Sequence, residues 1–345
     1  MRQVFKMLVR YNAEILKRRE QFRRSALKKT LGVVMDPIEG INYRKDTTLA
    51  LLIAAQQAGY EIYSMEQTDL FIENCLPKAL MTPIKVFEKP DKWYEKQSSF
   101  IEVIEKLDVI LMRKDPPFDS EYIYSTYILE AAEKRGCIVV NRPSSLRDCN
   151  EKIFATEFPE CTPPILVSRN KARLKEFLAT HNDVVLKPLD GMGGKSIFRV
   201  QGNESNVNVI LETLTQEGFR TIMAQKYIPE IAAGDKRILI VGGEVIPYCL
   251  ARLPGENDFR GNLAVGGTGI VQPLTERDRW IANQVAPELT KRGLFFVGLD
   301  VIGNFLTEIN VTSPTCVREI ERSTGLKIGG LLISAIDKYR SEKSS

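Results

Sequence analysis

Histidine is almost missing from this chain. His181 is the single one among 345 residues. Neither a Ser–His nor a Cys–His pair is favoured as a source of nucleophilic catalysis, and the chemistry is expected to run without an imidazole base. Cysteine is sparse as well. No two of Cys75, Cys137, Cys149, Cys161, Cys249 and Cys316 stand in C-x-x-C spacing, so neither a zinc ribbon nor a redox pair is signalled. Thiols this scattered fit a reducing cytoplasm. No stretch approaches the roughly 18 consecutive apolar residues of a membrane span. What is present, 43% hydrophobic and 27% charged residues, is the composition of an ordinary globular protein of two or three modest domains.

A uniform basic character is also lacking. Residues 1–30 hold ten basic side chains and two acidic ones, so this segment carries +8, and the chain's net +4 leaves −4 for the remainder. The body is therefore not expected to bind nucleic acid. The segment reads as a basic helical extension, with Phe5, Leu8, Ile15, Phe22 and Ala26 at helical spacing, and it has no continuous apolar core of a signal peptide.

From Leu31 to Asn150 the chain alternates strands and helices. Leu31–Met35, Glu61–Met65, Asp108–Met112 and Cys137–Asn141 read as apolar strands, and Thr48–Ala58 and Glu121–Gly136 as helices. The pattern predicts an open α/β domain of parallel strands over 31–150. Ligands in such sheets sit beyond the carboxyl ends of the strands, where Asp36, Arg113 and Asp115 fall. Beyond residue 150 the pattern becomes α+β and antiparallel. It predicts a central lobe over 151–227 and a C-terminal lobe over 228–342. Gly242-Gly243 there has the composition of a two-residue hairpin turn.

Three segments carry chemistry. The first is Val184-Val185-Leu186-Lys187-Pro188-Leu189-Asp190-Gly191-Met192-Gly193-Gly194-Lys195-Ser196. It is not a Walker A loop, because Leu189 stands where a glycine is required and a strand follows. It reads as a glycine loop between antiparallel strands, whose backbone N–H groups can approach a phosphate unhindered. The second runs from Phe295 to Asn310 and turns at Gly303-Asn304. Glu308 and Asn310 share a face. A three-residue loop over 303–305 would set Asp300 opposite Glu308, and that length is the expectation. Such oxygen ligands without histidine or cysteine suit Mg²⁺ completed by phosphate oxygens. The third, from Leu250 to Gly269, is glycine-rich and unusually long for a bare connection, as a closing lid would be. Its Arg252 and Arg260 are placed to meet a transferring phosphoryl group.

These pieces, with Lys152 and the strand end Gln225-Lys226-Tyr227-Ile228, resemble the ATP-grasp superfamily. The motifs Met35-Asp36-Pro37-Ile38, Leu111–Asp119 (LMRKDPPFD), Leu146–Lys152 (LRDCNEK), Leu186–Gly194 (LKPLDGMGG) and Glu308–Cys316 (EINVTSPTC) are similar to the bacterial glutathione synthetase family over about residues 31–340. The resemblance implies an ATP-dependent carboxylate–amine ligase that joins γ-glutamylcysteine and glycine through an acyl phosphate. A sister ligase with another substrate, or a silent nucleotide-binding protein, is the alternative. It implies ATP contacts from Lys152, Lys187, Gly191, Met192, Gly193, Gly194, Gln225, Lys226, Tyr227, Ile228 and Asn262. It implies Mg²⁺ or Mn²⁺ on Asp300, Glu308 and Asn310. Arg237, Arg252 and Arg260 would stabilise phosphoryl charge, and Asp36, Arg113, Asp115, Ser313 and Thr315 would contact peptide or glycine. A cytoplasmic homo-oligomer without membrane contact completes the expectation.

Overall fold

The computed structural model describes residues 29–202, 204–255 and 268–344. The expected basic helix of the N-terminal segment therefore lies outside the described residues, as do Arg260, Asn262 and most of the expected lid.

The first layer begins with β1 (Thr30–Val34), α1 (Thr47–Gln57) and β2 (Glu61–Met65), followed by β3 (Leu70–Glu73), β4 (Leu76–Val86), β5 (Tyr94–Lys96) and β6 (Phe100–Val103). It is completed by β7 (Val109–Met112), α2 (Ser120–Glu133), β8 (Ile138–Val140) and α3 (Pro143–Asp148). Strands β2, β1, β7 and β8 are parallel neighbours, as the alternating strand–helix pattern predicts. Asp46 caps α1 by accepting the Leu49 amide, and Gly59 ends the turn after it at φ +89°. The sheet differs from expectation along one edge, where β3, β5 and β6 add antiparallel strands around β4. The β3–β4 turn is made by Asn74 and Cys75, both with positive φ. Asparagine tolerates that region, whereas cysteine gives no such signal, so this hairpin is not readable from residue type.

The second sheet contains β9 (Ile165–Ser168), β10 (Asp183–Pro188), β11 (Phe198–Gln201) and β12 (Ile222–Lys226), in the order β11-β10-β12-β9. Helices α4 (Lys171–His181) and α5 (Val207–Thr215) cover it. His181 ends α4 and packs on Phe177, with ring centroids 4.4 Å apart.

The third sheet orders β13 (Asp235–Val241), β14 (Glu244–Leu253), β15 (Thr268–Pro273), β16 (Phe296–Ile302) and β17 (Phe305–Asn310) as β15-β14-β13-β16-β17. Helix α6 (Glu276–Lys291) lies between β15 and β16, and α7 (Val317–Thr324) and α8 (Ile328–Ser344) follow β17. Gly242 and Gly243 turn the β13–β14 hairpin with φ of +59° and +86°. A Cβ on Gly242 would come within 2.5 Å of Ala335 Cβ, so glycine is required there by packing as well as by dihedral. The expected architecture, an α/β layer followed by two antiparallel lobes, is what the chain adopts.

Two of the three apolar clusters mix side chains of the first and third sheets, while the third is confined to the second sheet and its helices. Asn141 fastens the first and third sheets directly. Its Nδ2 donates to Phe296 O at 2.8 Å and Val311 O at 2.7 Å, and its Oδ1 accepts from Phe296 N at 2.9 Å. No described helix is long and apolar enough to cross a membrane.

Candidate functional site

A cavity of about 340 Å³ opens where the three sheets meet. Its third-sheet wall follows from pairing register. Arg237 on β13 sits opposite Asp300 on β16, Asp300 sits opposite Glu308 on β17, and Asp235 on β13 sits opposite Arg252 on β14. Opposite charges facing each other across strands attract. Here they share one buried face.

The Asp300–Glu308 pairing arises differently from the expectation. The turn has two residues, since Ile302 pairs with Phe305 and Val301 with Leu306. A register shift at Thr307 then restores the Asp300–Glu308 pair. The expected three-residue loop is thus replaced by a tight turn and a β-bulge, which also places two residues against one. The bulge is held by the Thr307 hydroxyl, which donates to Asp300 O at 3.1 Å. The Thr307 carbonyl accepts from Lys187 Nζ at 3.5 Å.

Asp300 lies between two guanidinium groups. Arg237 Nε donates to its Oδ1 at 2.5 Å, and Arg252 Nη2 lies 2.9 Å from its Oδ2. Arg252 also pairs with Asp235. Burial pushes the Asp300 carboxyl up, but the two arginines outweigh it and hold it well below the usual carboxylate range. Asp235 goes the other way. Its burial, helped by Asp300, outweighs Arg252 and raises it to about 7.

Glu308 is shared by two lysines. Lys152 Nζ and Lys187 Nζ each stand 3.6 Å from its Oε1, and they hold its carboxyl low against burial. Both lysines are almost wholly enclosed, 3% and 4% exposed. Burial lowers Lys187, Glu308 opposes that, and Lys152 adds to the lowering. Lys187 Nζ also donates to Gln225 Oε1 at 3.1 Å. Lys152 Nζ donates to Gly191 O at 2.8 Å, so the chain after α3 latches the glycine loop between β10 and β11. Gly193 and Gly194 hold positive φ in that loop.

The cavity wall gathers Lys152, Lys187, Gly191, Met192, Gly193, Gly194, Gln225, Tyr227, Ile228, Arg237, Arg252, Asp300, Glu308, Asn310, Asp115, Ser313 and Thr315. Among the described residues, three of the expected ones do not line it. Lys226 points to solvent at the end of β12, opposite in pleat to Gln225. Asp36 pairs with Lys114 at 2.9 Å and accepts the Asp115 amide. Arg113 is buried behind the wall, donating to Thr48 Oγ1 and Pro314 O. Arg252 belongs to a strand rather than to a lid, because β14 continues to Leu253. Asp235 and Glu151 line the cavity without having been singled out by sequence. Asp235 was legible in principle, being two residues from Arg237 on the same strand and hence on the same face.

Such a concave site, with converging lysines, arginines and carboxylates beside a glycine loop, is built for a polyanion. The family model described as prokaryotic glutathione synthetase, N-terminal domain, matches residues 30–147, and that for its ATP-grasp domain matches residues 151–325. A glutathione synthetase of Pseudomonas aeruginosa is 59% identical over 306 residues, covering 89% of this chain and 96% of that protein. One of Escherichia coli is 56% identical over 307 residues, covering 89% and 97%. Among solved structures, the ATP-grasp ligase PsnB with a phosphomimetic precursor variant, Mg and ADP superposes with TM-score 0.62 at 16% identity, over 91% of this chain and 99% of that one. D-cycloserine synthetase DcsG superposes with TM-score 0.61 at 14% identity, over 89% and 99%. These distant structures share the ATP-grasp fold. With both domain models matched in order and close relatives aligned along nine-tenths of its length, the chain belongs to the prokaryotic glutathione synthetase family.

Proposed function

We propose that the cavity binds ATP against Lys152 and Lys187 and uses it to activate the cysteinyl carboxylate of γ-glutamylcysteine as an acyl phosphate. The chain is an ATP-dependent carboxylate–amine ligase that forms glutathione. The observation that carries the site assignment is the convergence of four enclosed cations on the two facing carboxylates Asp300 and Glu308, beside a glycine loop.

The carboxylate oxygen attacks the γ-phosphorus of ATP and ADP departs. The glycine nitrogen, having lost a proton, then attacks the acyl carbon, and phosphate leaves with the electron pair of the broken C–O bond. Catalysis by this chain is positioning and charge neutralisation. Lys152 and Lys187 hold the phosphates, the 191–194 loop covers them, and Gln225, Tyr227 and Ile228 face the adenine, with Lys226 contributing through its backbone. Arg237 and Arg252, joined by Arg260, neutralise charge on the phosphoryl group and the acyl phosphate, and Asn262 adds a nucleotide contact. Asp115, Ser313 and Thr315, with Asp36 and Arg113 supporting them, serve the peptide and glycine.

Asp300, Glu308 and Asn310 fit a hard divalent cation. They offer only oxygen donors once Asn310 Nδ2 is engaged with Gly298 O at 3.3 Å. Among the described residues no three histidine, cysteine, aspartate or glutamate side chains form a cation cage, so ATP phosphates would complete the coordination. Mg²⁺, or Mn²⁺ in its place, would supply charge neutralisation on the phosphates when bound. The enzyme works in the cytoplasm as a homo-oligomer, which light scattering in solution tests. The activity is tested by ADP release that requires γ-glutamylcysteine and glycine together; release without glycine, or none with both, overturns it.

A further inference from the structure

Five carboxylates line the cavity, and their partners divide them unequally. Asp300, Glu308 and Asp235 are ion-paired with the lysines and arginines of the site. Asp115 and Glu151 have no ion pair within 4 Å among the described residues. Glu151 Oε1 accepts the Thr312 hydroxyl at 2.8 Å, and that is the carboxylate's hydrogen bond among the described residues. Burial, then Glu308, raises the Glu151 carboxyl above its usual range.

Two buried polar atoms near this end of the cavity are also unpartnered. Arg113 Nη1 and Tyr122 Oη have no hydrogen-bond partner among the described residues, and their residues are 5% and 1% exposed. The Arg113 guanidinium interacts electrostatically with Asp115, and the Tyr122 hydroxyl with Glu151, Arg113 and Asp115. Buried polar groups without partners are costly. One end of the site therefore combines two carboxylates that make no direct ion pair among the described residues with two enclosed polar groups behind the wall whose hydrogen-bonding capacity is not filled there.

That combination suits a zwitterionic α-amino-acid group. Both substrates carry an ammonium, but their fates differ. The glycine nitrogen must shed its protons and attack, so a lasting ion pair would hinder it. The α-ammonium and α-carboxylate of the γ-glutamyl residue pass through the reaction unchanged and can stay bound throughout. Resting on the ligase reading above, we propose that Glu151 and Asp115 seat the α-ammonium of the γ-glutamyl head group, with Arg113, enclosed behind the wall, adding positive potential toward its α-carboxylate. Glu151 is then a specificity-determining residue, which selects a γ-linked glutamyl end by its free ammonium.

The test compares γ-glutamylcysteine with N-glutarylcysteine, which lacks only the α-amino group, by steady-state kinetics on the full chain. A charge-assisted contact of the usual strength gives the wild type a roughly tenfold to hundredfold preference for the aminated peptide. Glu151→Gln is expected to raise KM for γ-glutamylcysteine by that factor, to leave KM for glycine and ATP affinity unchanged, and to shrink the preference toward one. Equal losses on both peptides, or a rise confined to the glycine KM, overturn the proposal. Asp115 is exposed in the segment after β7, so Asp115→Asn carries the same comparison if Glu151→Gln does not fold. An active wild type whose preference survives in the folded variant removes the head-group seat alone. A wild type that releases no ADP from γ-glutamylcysteine and glycine removes the ligase reading itself.

Discussion

Lys152 and Lys187 converge on one atom, Oε1 of Glu308, each at 3.6 Å, although 35 positions separate them along the chain. Lys152 follows α3 and Lys187 ends a strand of the second sheet, so the carboxylate of β17 ties two lobes together in advance of any nucleotide. Two ammonium groups held this close repel each other unless an anion lies between them, and the phosphates of ATP would strengthen the role that Glu308 plays alone.

Replacing Lys187 by methionine keeps much of the apolar stem and removes the charge. A charge-assisted hydrogen bond contributes about 1.5–3 kcal/mol, so ATP affinity should fall roughly tenfold to a hundredfold. Calorimetry on the folded variant measures this. Wild-type affinity and turnover would remove Lys187 from the nucleotide site.

Asp300→Asn should destabilise the protein by about 3–5 kcal/mol, because it leaves Arg237 and part of Arg252 buried without their anion. Urea denaturation at neutral pH gives the difference. A loss below about 1 kcal/mol would mean that the arginines find other partners.

Asp235 makes the pH dependence distinctive. Its folded carboxyl is raised to about 7, against roughly 3.9 for a free aspartate. A raised carboxyl favours the fold while protonated, so its contribution is full below about pH 4 and is lost as pH climbs toward 7. Stability of Asp235→Asn relative to wild type should therefore rise between pH 4 and 7 and level off above. Metal-free protein titrated by urea midpoint checks this, and a difference that falls over the same range contradicts it.

Asn141→Ala removes three hydrogen bonds and strands Phe296 N, Phe296 O and Val311 O between two sheets. At about 1–3 kcal/mol for an unsatisfied buried group, a loss of several kcal/mol is expected, with the cavity residues untouched. Thermal melts should move by several degrees, and an unshifted melt would show that water replaces the side chain.

A chain beginning at Lys29 should retain ligase activity. The family match starts at residue 30, the described cavity residues all lie beyond it, and Lys29 itself pairs with Asp337 of α8 at 2.8 Å. ADP release by the shortened protein is the measurement; a folded but inactive product would place the basic segment within the working enzyme.

Much of the site was legible in the sequence because strands fix side-chain faces. Lys187 before a glycine loop, and Glu308 two residues from Asn310, announce their placement through spacing alone. The Thr307 bulge was not legible, since a tight turn with a bulge and a longer loop give the same Asp300–Glu308 pairing. Nor was the burial of Arg113. A charged residue after a strand end reads as solvent-facing or ligand-facing, and only the approach of Thr48 and Pro314 from distant segments encloses it. The antiparallel edge at β3–β6 depends on tertiary pairing around one long strand, β4, for which local pattern is a weak guide.

The separate apolar core of the second sheet has a thermodynamic consequence. Its cluster shares no residue with the two that span the first and third sheets, so the lobe carrying Lys187 and Gln225 can melt without dissolving the rest. A calorimetric scan of the empty protein would then resolve two endotherms, the smaller one first. If ATP binds residues on both sides of that division, as proposed above, it binds only when both are folded, and saturating nucleotide should raise the lower transition until the two merge. Cooperativity of unfolding would then be conferred by the substrate.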